Sequence, residues 1–473
     1  MREMQAVKVR DAALFERRVT MRTPFRFGAA TVNEASQLFL RLTIEDGQGR
    51  YVNGYAAELM VPKWFDKNPA LGQADNEEQL RRSVCLAVKL AGNAPALPAF
   101  ALHTALEGEQ HRLATAEGLN RLVASFGLAL VDRAVLDALC RWNNVPVTQA
   151  LRENLPEINA ETTPDLAGSD IDTFLAQLKP EPSLVLRHTV GYVDALTPAD
   201  LSARHDDGLP ECLEEEIRAY GLTCFKLKVS GRPLEDVARL KAIAAVLDRQ
   251  PKYLVTLDGN EQFEDEEAAI ELIDRIEAEP SLKRLRGSLL FLEQPFPRAT
   301  ALSRPVTRLA QRILLEIDES DGTPDAFLEA KAQGYRGVSS KSCKGFYRSL
   351  LNRMRVEKWN TEGDGFFMSA EDLTTQAGIA VQQDLALAAI LRLGHVERNG
   401  HHYVDGMQGA GEEEVRAWLD AHGDLYRQTA DGRLRLDIKD GRLDLGTTLH
   451  ATGLGISGEA AAATFTALEK RGS

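Results

Sequence analysis

The chain has 473 residues, 44% hydrophobic and 27% charged, with a formal net charge of −14. That length exceeds one typical domain, and the composition describes a folded chain with a substantial core rather than a disordered one. The acidity argues against a nucleic-acid surface, and no apolar run reaches the roughly 18 residues a membrane span needs, so neither nucleic acid nor membrane is expected as a partner. Cys85, Cys140, Cys212, Cys224 and Cys343 form no Cys-x-x-Cys pair, and an odd, scattered set is no disulfide framework. With no apolar signal core behind Met1, a cytoplasmic location is expected.

Residues 17–23, 37–44 and 51–57 are rich in β-formers, and Asp46-Gly47-Gln48-Gly49 predicts a turn between the last two, giving an antiparallel meander. Helical periodicity follows at 76–91, 116–125 and 132–142, the last placing Val135, Leu136, Leu139 and Cys140 on one face. Residues 1–155 are read as an α+β module completed by 430–473. There 433–438 and 442–445 flank Lys439-Asp440-Gly441, a hairpin signal expected to pack back on the first module.

The pattern changes over 156–429. Short apolar runs, often β-branched, close at 184–187, 222–227, 253–257, 288–292, 313–317, 337–339, 365–368 and 391–393, with amphipathic stretches such as 233–247, 265–277 and 324–333 between them. Strands buried on both faces and alternating with helices predict a parallel (β/α)8-type barrel. All C-terminal strand ends of such a barrel lie on one rim, where residues distant in sequence converge. The polar stretch 193–213 is longer than a usual connection and is read as an insertion near that rim.

The rim-closing residues are Lys226-Leu-Lys228, Asp258-Gly-Asn260, Glu293-Gln294-Pro, Asp318-Glu319-Ser and Ser340-Lys341, with steps of 30, 35, 25 and 23 residues from Lys228 through Asp258, Glu293 and Asp318 to Lys341. Each step is about one strand-helix unit. Three carboxylates on one rim repel unless a cation neutralises them, and hard oxygen donors with room for water suit magnesium, or manganese. Lys226 and Lys228, two apart on a strand, share a face, and mutual repulsion would move an amine toward the neutral form a base needs. Lys341 falls across the barrel from Lys228. Asp318 is preferred over Glu319 as third ligand because it directly follows its apolar run, and Lys344 is read as the start of the next helix. His188, ending the first barrel strand, is read as structural. Ser369, Glu371 and Asp372, with His395 and Glu397 further on, have helix caps as their default reading and substrate contact as the alternative. No Gly-x-Gly-x-x-Gly or Walker loop supports a nucleotide.

These motifs resemble the enolase superfamily, in the branch of muconate-lactonising enzymes, dipeptide epimerases and o-succinylbenzoate synthases. The resemblance implies that Lys226-Leu-Lys228 is the second-strand lysine motif, Asp258, Glu293 and Asp318 the magnesium ligands, and Lys341 the opposite lysine. It also implies Asn260 and Gln294 beside the ligands, and a capping domain whose loops near Phe25 and Tyr55 close over substrate. The implied chemistry is abstraction of a proton α to a carboxylate through an enediolate, giving racemisation or epimerisation, or cycloisomerisation or elimination, of a small carboxylate. A homo-oligomer is expected. An acid-sugar dehydratase and a non-catalytic binding barrel are the alternatives. No clear Asp-x-Asp follows late in the barrel, and the chain carries more inserted sequence than the branch usually does.

Overall fold

The computed structural model describes residues 5–28, 30–363, 365–371, 373 and 375–472; Asp372 lies outside them. The chain opens with β1 (Lys8–Phe27), β2 (Ala30–Glu45) and β3 (Tyr51–Leu59), an antiparallel sheet in the order β1-β2-β3. The Asp46 carboxylate fixes the β2–β3 turn by accepting from the amides of Gln48 and Arg50 at 2.8 and 2.9 Å, the local closure expected of an Asx turn. β1 is far longer than the predicted 17–23, because its partner β2 gives it ladder bonds from Lys8 opposite Glu45 to Phe27 opposite Ala30.

Helices Gln73–Asn93 and Arg121–Trp142 pack on this sheet, and Ala99–Ala116 packs on both of them. The predicted helix 116–125 is not one element: Gly118, at φ +76°, ends one helix, and the Asn120 side chain caps the next by accepting from Val123 N at 2.9 Å. Residues 121–142 then run unbroken, and every side chain from Leu122 to Cys140 is buried because the helix is sandwiched between the sheet and the barrel. Gly54 lets β3 lie flush on this helix; a Cβ there would meet Ala134 O at 1.9 Å. Gly54→Ala is accordingly expected to destabilise the chain by about 3 kcal/mol, the upper part of the overpacking range, read as a lowered urea midpoint at unchanged slope.

The barrel strands are β4 (Ser183–Val190), β5 (Cys224–Lys228), β6 (Leu254–Asp258), β7 (Leu289–Glu293), β8 (Leu314–Ile317), β9 (Gly337–Ser340), β10 (Phe367–Ala370) and β11 (His395–Glu397). They are parallel, in the order β10-β9-β8-β7-β6-β5-β4-β11, a nearly closed eight-stranded barrel in which β10 and β11 lie side by side. The predicted ends of the second to seventh strands and helices Pro233–Leu247, Glu266–Ala278 and Ala326–Gln333 agree within two residues, while the first strand runs three residues past the predicted 187, to Val190. The eighth strand does not: 391–393 is the end of a helix and a turn with Arg392 at φ +56°, and the strand is His395–Glu397. The 193–213 stretch follows β4 on the rim side and is tied to the first sheet, with Arg22 Nη2 donating to Asp207 Oδ1 at 2.8 Å.

The C-terminal elements depart from a simple hairpin. The Lys439–Arg442 turn forms, with Asp440 and Gly441 at positive φ, but its flanks diverge. β13 (Leu434–Leu436) pairs with β12 (Tyr426–Gln428), while β14 (Arg442–Asp444) pairs with barrel strand β4. What returns to the first sheet is the last helix, Gly458–Gly472, whose Phe465 packs on Phe15, Phe39 and Tyr55.

Candidate active site

Alternation along the short barrel strands sends Lys226 and Lys228, Asp258, Glu293 and Glu316 inward, all fully or nearly fully buried. Asp318, Lys341, Glu371 and Glu397 join them at the rim. Lys226 Nζ is the hub. It lies 2.8 Å from Asp258 Oδ2, 2.9 Å from Glu293 Oε1, 2.8 Å from Glu371 Oε1 and 3.0 Å from Glu397 Oε2. Lys228 Nζ donates to Asp258 Oδ2 at 2.6 Å. On the far side Lys341 Nζ donates to Asp318 Oδ2 at 2.6 Å and Glu371 Oε2 at 2.8 Å.

Two expectations change here. The acids are neutralised by lysines, so their convergence does not by itself demand a metal. And the carboxylates overrule lysine–lysine repulsion: burial opposes the charge on Lys226, but Asp258, Glu293, Glu371 and Glu397 together raise its pKa well above the ordinary value. Lys341 is raised in the same way, burial being outweighed by Asp318 and Glu371. Burial likewise works against ionised Asp258, yet Lys226 and Lys228 hold it down at about 2.

The donor set nevertheless fits a divalent ion. Glu293 Oε2 is buried with no hydrogen-bond partner, and burial with the neighbouring charges of Asp258 and Glu371 pushes its carboxyl well up, as expected where a cation is called for. Oxygens of Glu293, Asp318 and Glu371 all lie within 4.8 Å of one another. Of the predicted ligands, Glu293 and Asp318 belong to this triple. Asp258 does not, because Lys226 and Lys228 hold its Oδ2 while Asn260 N donates to its Oδ1 at 2.8 Å.

Asp318 rather than Glu319 faces the rim. Gln294 fixes it there, its Oε1 accepting from Asp318 N at 2.8 Å and Ser320 N at 3.2 Å while its own backbone sits at φ +30°. Glu319 turns away toward Lys67 and Asn260, and burial followed by the charges of Asp318 and Glu261 raises its carboxyl to about 7. Asn260, at φ +41°, keeps its buried Oδ1 without a partner beside the rim cavity.

A cavity of about 30 Å³ lies over these groups, roofed by Phe25, Phe27, Val61 and Trp64 from the first module. That volume holds a water or two but no organic acid. Phe25 thus stands where the capping reading expects. Tyr55 does not: it lies within β3 against Phe465 and Arg141, and Val61 and Trp64 take its place at the roof. Trp64 also sets its ring 4.4 Å from Lys341 Nζ, a cation–π contact.

Ser369 sits below the rim, its hydroxyl donating to Glu316 Oε2 at 3.0 Å, and does not line the cavity. Lys344 is no helix start: the helix Phe346–Thr361 begins after it, and its Nζ is buried on Asp318 Oδ1 at 3.0 Å. Glu371 and Glu397 are site groups rather than caps, Glu371 directly following β10 and Glu397 closing β11. Glu316 escaped notice; an acid inside an apolar strand was its only signal, and burial, then Glu371, raises it to about 8.

Residues 209–344 match the family described as enolase C-terminal domain-like. No curated protein matches the chain. Among solved structures it resembles a dipeptide epimerase from Enterococcus faecalis complexed with magnesium and the dipeptide L-Leu-L-Tyr, at 15% identity and TM-score 0.62 over 95% of this chain and 99% of that one. It also resembles an enolase from Bradyrhizobium complexed with magnesium and mandelic acid, at 16% and 0.61 over 97% and 98%. A muconate lactonizing enzyme from Klebsiella pneumoniae stands at 16% and 0.60 over 97% and 99%. At these identities the likeness is one of fold. The chain thus carries an enolase C-terminal domain-like segment, holding Lys226, Lys228, Asp258, Glu293, Asp318 and Lys341, within an overall fold shared with these solved structures.

Proposed function

We propose that the chain is a magnesium-dependent isomerase that removes and returns the proton α to the carboxylate of a small organic acid. The observation that carries this reading is the placement of two buried lysines on opposite walls of one acidic rim. Lys228 ends the second barrel strand and Lys341 follows the sixth, half a turn apart in the strand order. A carbon held between them presents one face to each, the geometry of 1,1-proton transfer, so racemisation or epimerisation is favoured over elimination or cycloisomerisation.

Asp258, Glu293 and Asp318, on or just after the adjacent strands β6, β7 and β8, would hold the ion, with Asp258 exchanging its Lys226 and Lys228 contacts at Oδ2 for it. Bound there it would stabilise the negative charge that develops on the substrate carboxylate. Of Lys228 and Lys341, the one present as the free amine takes the proton from one face and the other, as an ammonium, delivers one to the opposite face, while Lys226 holds Glu293, Glu371 and Glu397 in place and adds positive charge beneath the carboxylate. Phe25, Phe27, Val61 and Trp64 exclude water and set an apolar wall for the substrate's remaining group. An acid-sugar dehydratase would put a histidine in one base position, and none lines the cavity among the described residues. A non-catalytic barrel is disfavoured because every lysine and acid of the motifs is present.

The reading is tested by proton NMR in deuterium oxide with a panel of N-acylated amino acids, dipeptides and acid sugars, following loss of the α-proton signal in magnesium and in chelator. Magnesium-dependent loss is expected. Exchange that proceeds equally in chelator would remove the metal from the reading. The ligand set has its own check: magnesium should raise the thermal midpoint, by the equivalent of about 2.7 kcal/mol at a hundredfold excess over its dissociation constant. Asp258→Asn should abolish that shift and Glu371→Gln should keep it; the reverse outcome would make Glu371 the third ligand.

A further inference from the structure

Along β4, Arg187 and Thr189 point into the barrel toward Glu371 and Glu397, so His188 between them points outward. It faces the helices Leu213–Tyr220 and Gly400–Tyr403 in a layer that barrels ordinarily fill with apolar side chains. Here that layer holds His188, Glu216, His401 and His402, only 2%, 0%, 9% and 4% exposed. His188 Nδ1 lies 3.1 Å from His401 Nε2, and that nitrogen lies 3.6 Å from Glu216 Oε2. A tetrahedral zinc ion with bonds of about 2.0–2.1 Å spaces its donors about 3.3 Å apart. The three atoms also lie within 4.8 Å of one another.

Glu216 Oε2 is the second, independent sign. It is buried with no hydrogen-bond partner, whereas the other oxygen of the same carboxylate meets His402 Nδ1 at 2.7 Å. An orphaned carboxylate oxygen facing two imidazole nitrogens, with its twin oxygen anchored from outside, is how ligating carboxylates are commonly supported. Burial keeps both imidazoles in the neutral form that ligates, lowering His188 well below its ordinary value and His401 to about 3.

We propose that His188, His401 and Glu216 bind a divalent transition metal ion, zinc fitting best, at a site separate from the rim carboxylates. Two imidazoles and one carboxylate favour zinc, whereas the all-oxygen rim suits magnesium, so with magnesium in excess one chain can hold both ions. Such an ion would pin β4 to the segment that follows β11, the two strands that carry Arg187, Thr189 and Glu397 to the rim. The inference does not depend on the proposed reaction.

The test is diffraction at the zinc absorption edge from the full chain soaked in zinc with magnesium in excess. An anomalous peak bonded to His188 Nδ1, His401 Nε2 and Glu216 Oε2 is expected, with one equivalent of zinc retained through dialysis. His402→Gln should weaken zinc binding about 10- to 100-fold, as loss of a supporting partner does, and Asp318→Asn should leave it unchanged. No peak at the cluster, or a peak at the rim alone, overturns the proposal. So does zinc retention unaltered in a folded His401→Asn; where that variant fails to fold, the anomalous map of the unaltered chain decides.

Discussion

Replacing Lys341 by alanine is expected to cut α-proton exchange of the substrate by about 10²- to 10⁴-fold for one enantiomer while leaving exchange of the other measurable. Lys228→Ala should show the opposite preference, and both variants should lose net racemisation. The asymmetry follows from position. Lys228 is anchored to Asp258 on one side of the rim and Lys341 to Asp318 and Glu371 on the other, so neither ammonium reaches the partner's face of a carbon held between them. The check is exchange in deuterium oxide started from each enantiomer separately. Equal residual exchange of both enantiomers in both variants would mean that neither lysine is the base.

Lys226→Met should be the most damaging single change to stability. The side chains are similar in volume, so little packing is lost, but four buried carboxylates lose the ammonium they share. Leaving buried charge uncompensated costs about 3–5 kcal/mol when one partner of a pair is removed. In urea with chelator the variant should therefore unfold at a much lower midpoint. With magnesium part of that loss should return, since an ion on Asp258, Glu293 and Asp318 neutralises some of the same charge. A deficit identical in chelator and in magnesium would show that the ion does not bind among these carboxylates.

Much of this site was legible because barrel geometry converts sequence spacing into proximity. Residues closing successive parallel strands must share a rim, so Lys228, Asp258, Glu293 and Lys341 are brought together by the period of the fold. Asp318 could be chosen over Glu319 from its place directly after the apolar run, and Gln294 enforces that choice through the Asp318 amide. The unread parts depend on contacts between distant segments. Lys344 resembles a helix start, and only its depth beside Asp318 makes it a site residue. The eighth strand has three residues and follows an apolar helix end, so the apolar pattern points one turn early and does not bring Glu397 into the ladder. The motif around Tyr55 points to the roof by its nearness in sequence, but Tyr55 falls within β3 and packs on Phe465, 410 residues away in the chain.

The tight roof over the rim has a kinetic consequence. A cavity of about 30 Å³ cannot admit an organic acid, so on the proposed function binding would draw on whatever fraction of molecules holds Phe25, Phe27, Val61 and Trp64 apart. When that fraction is small, apparent affinity falls below intrinsic affinity by the same factor. Smaller residues at Phe25 or Trp64 would then speed capture and release together, and turnover would track solvent viscosity wherever opening is slower than proton transfer. On the proposed function, selection among acids would thereby be exerted partly at the door, by how readily a ligand's apolar group replaces the contacts that the roof makes with itself.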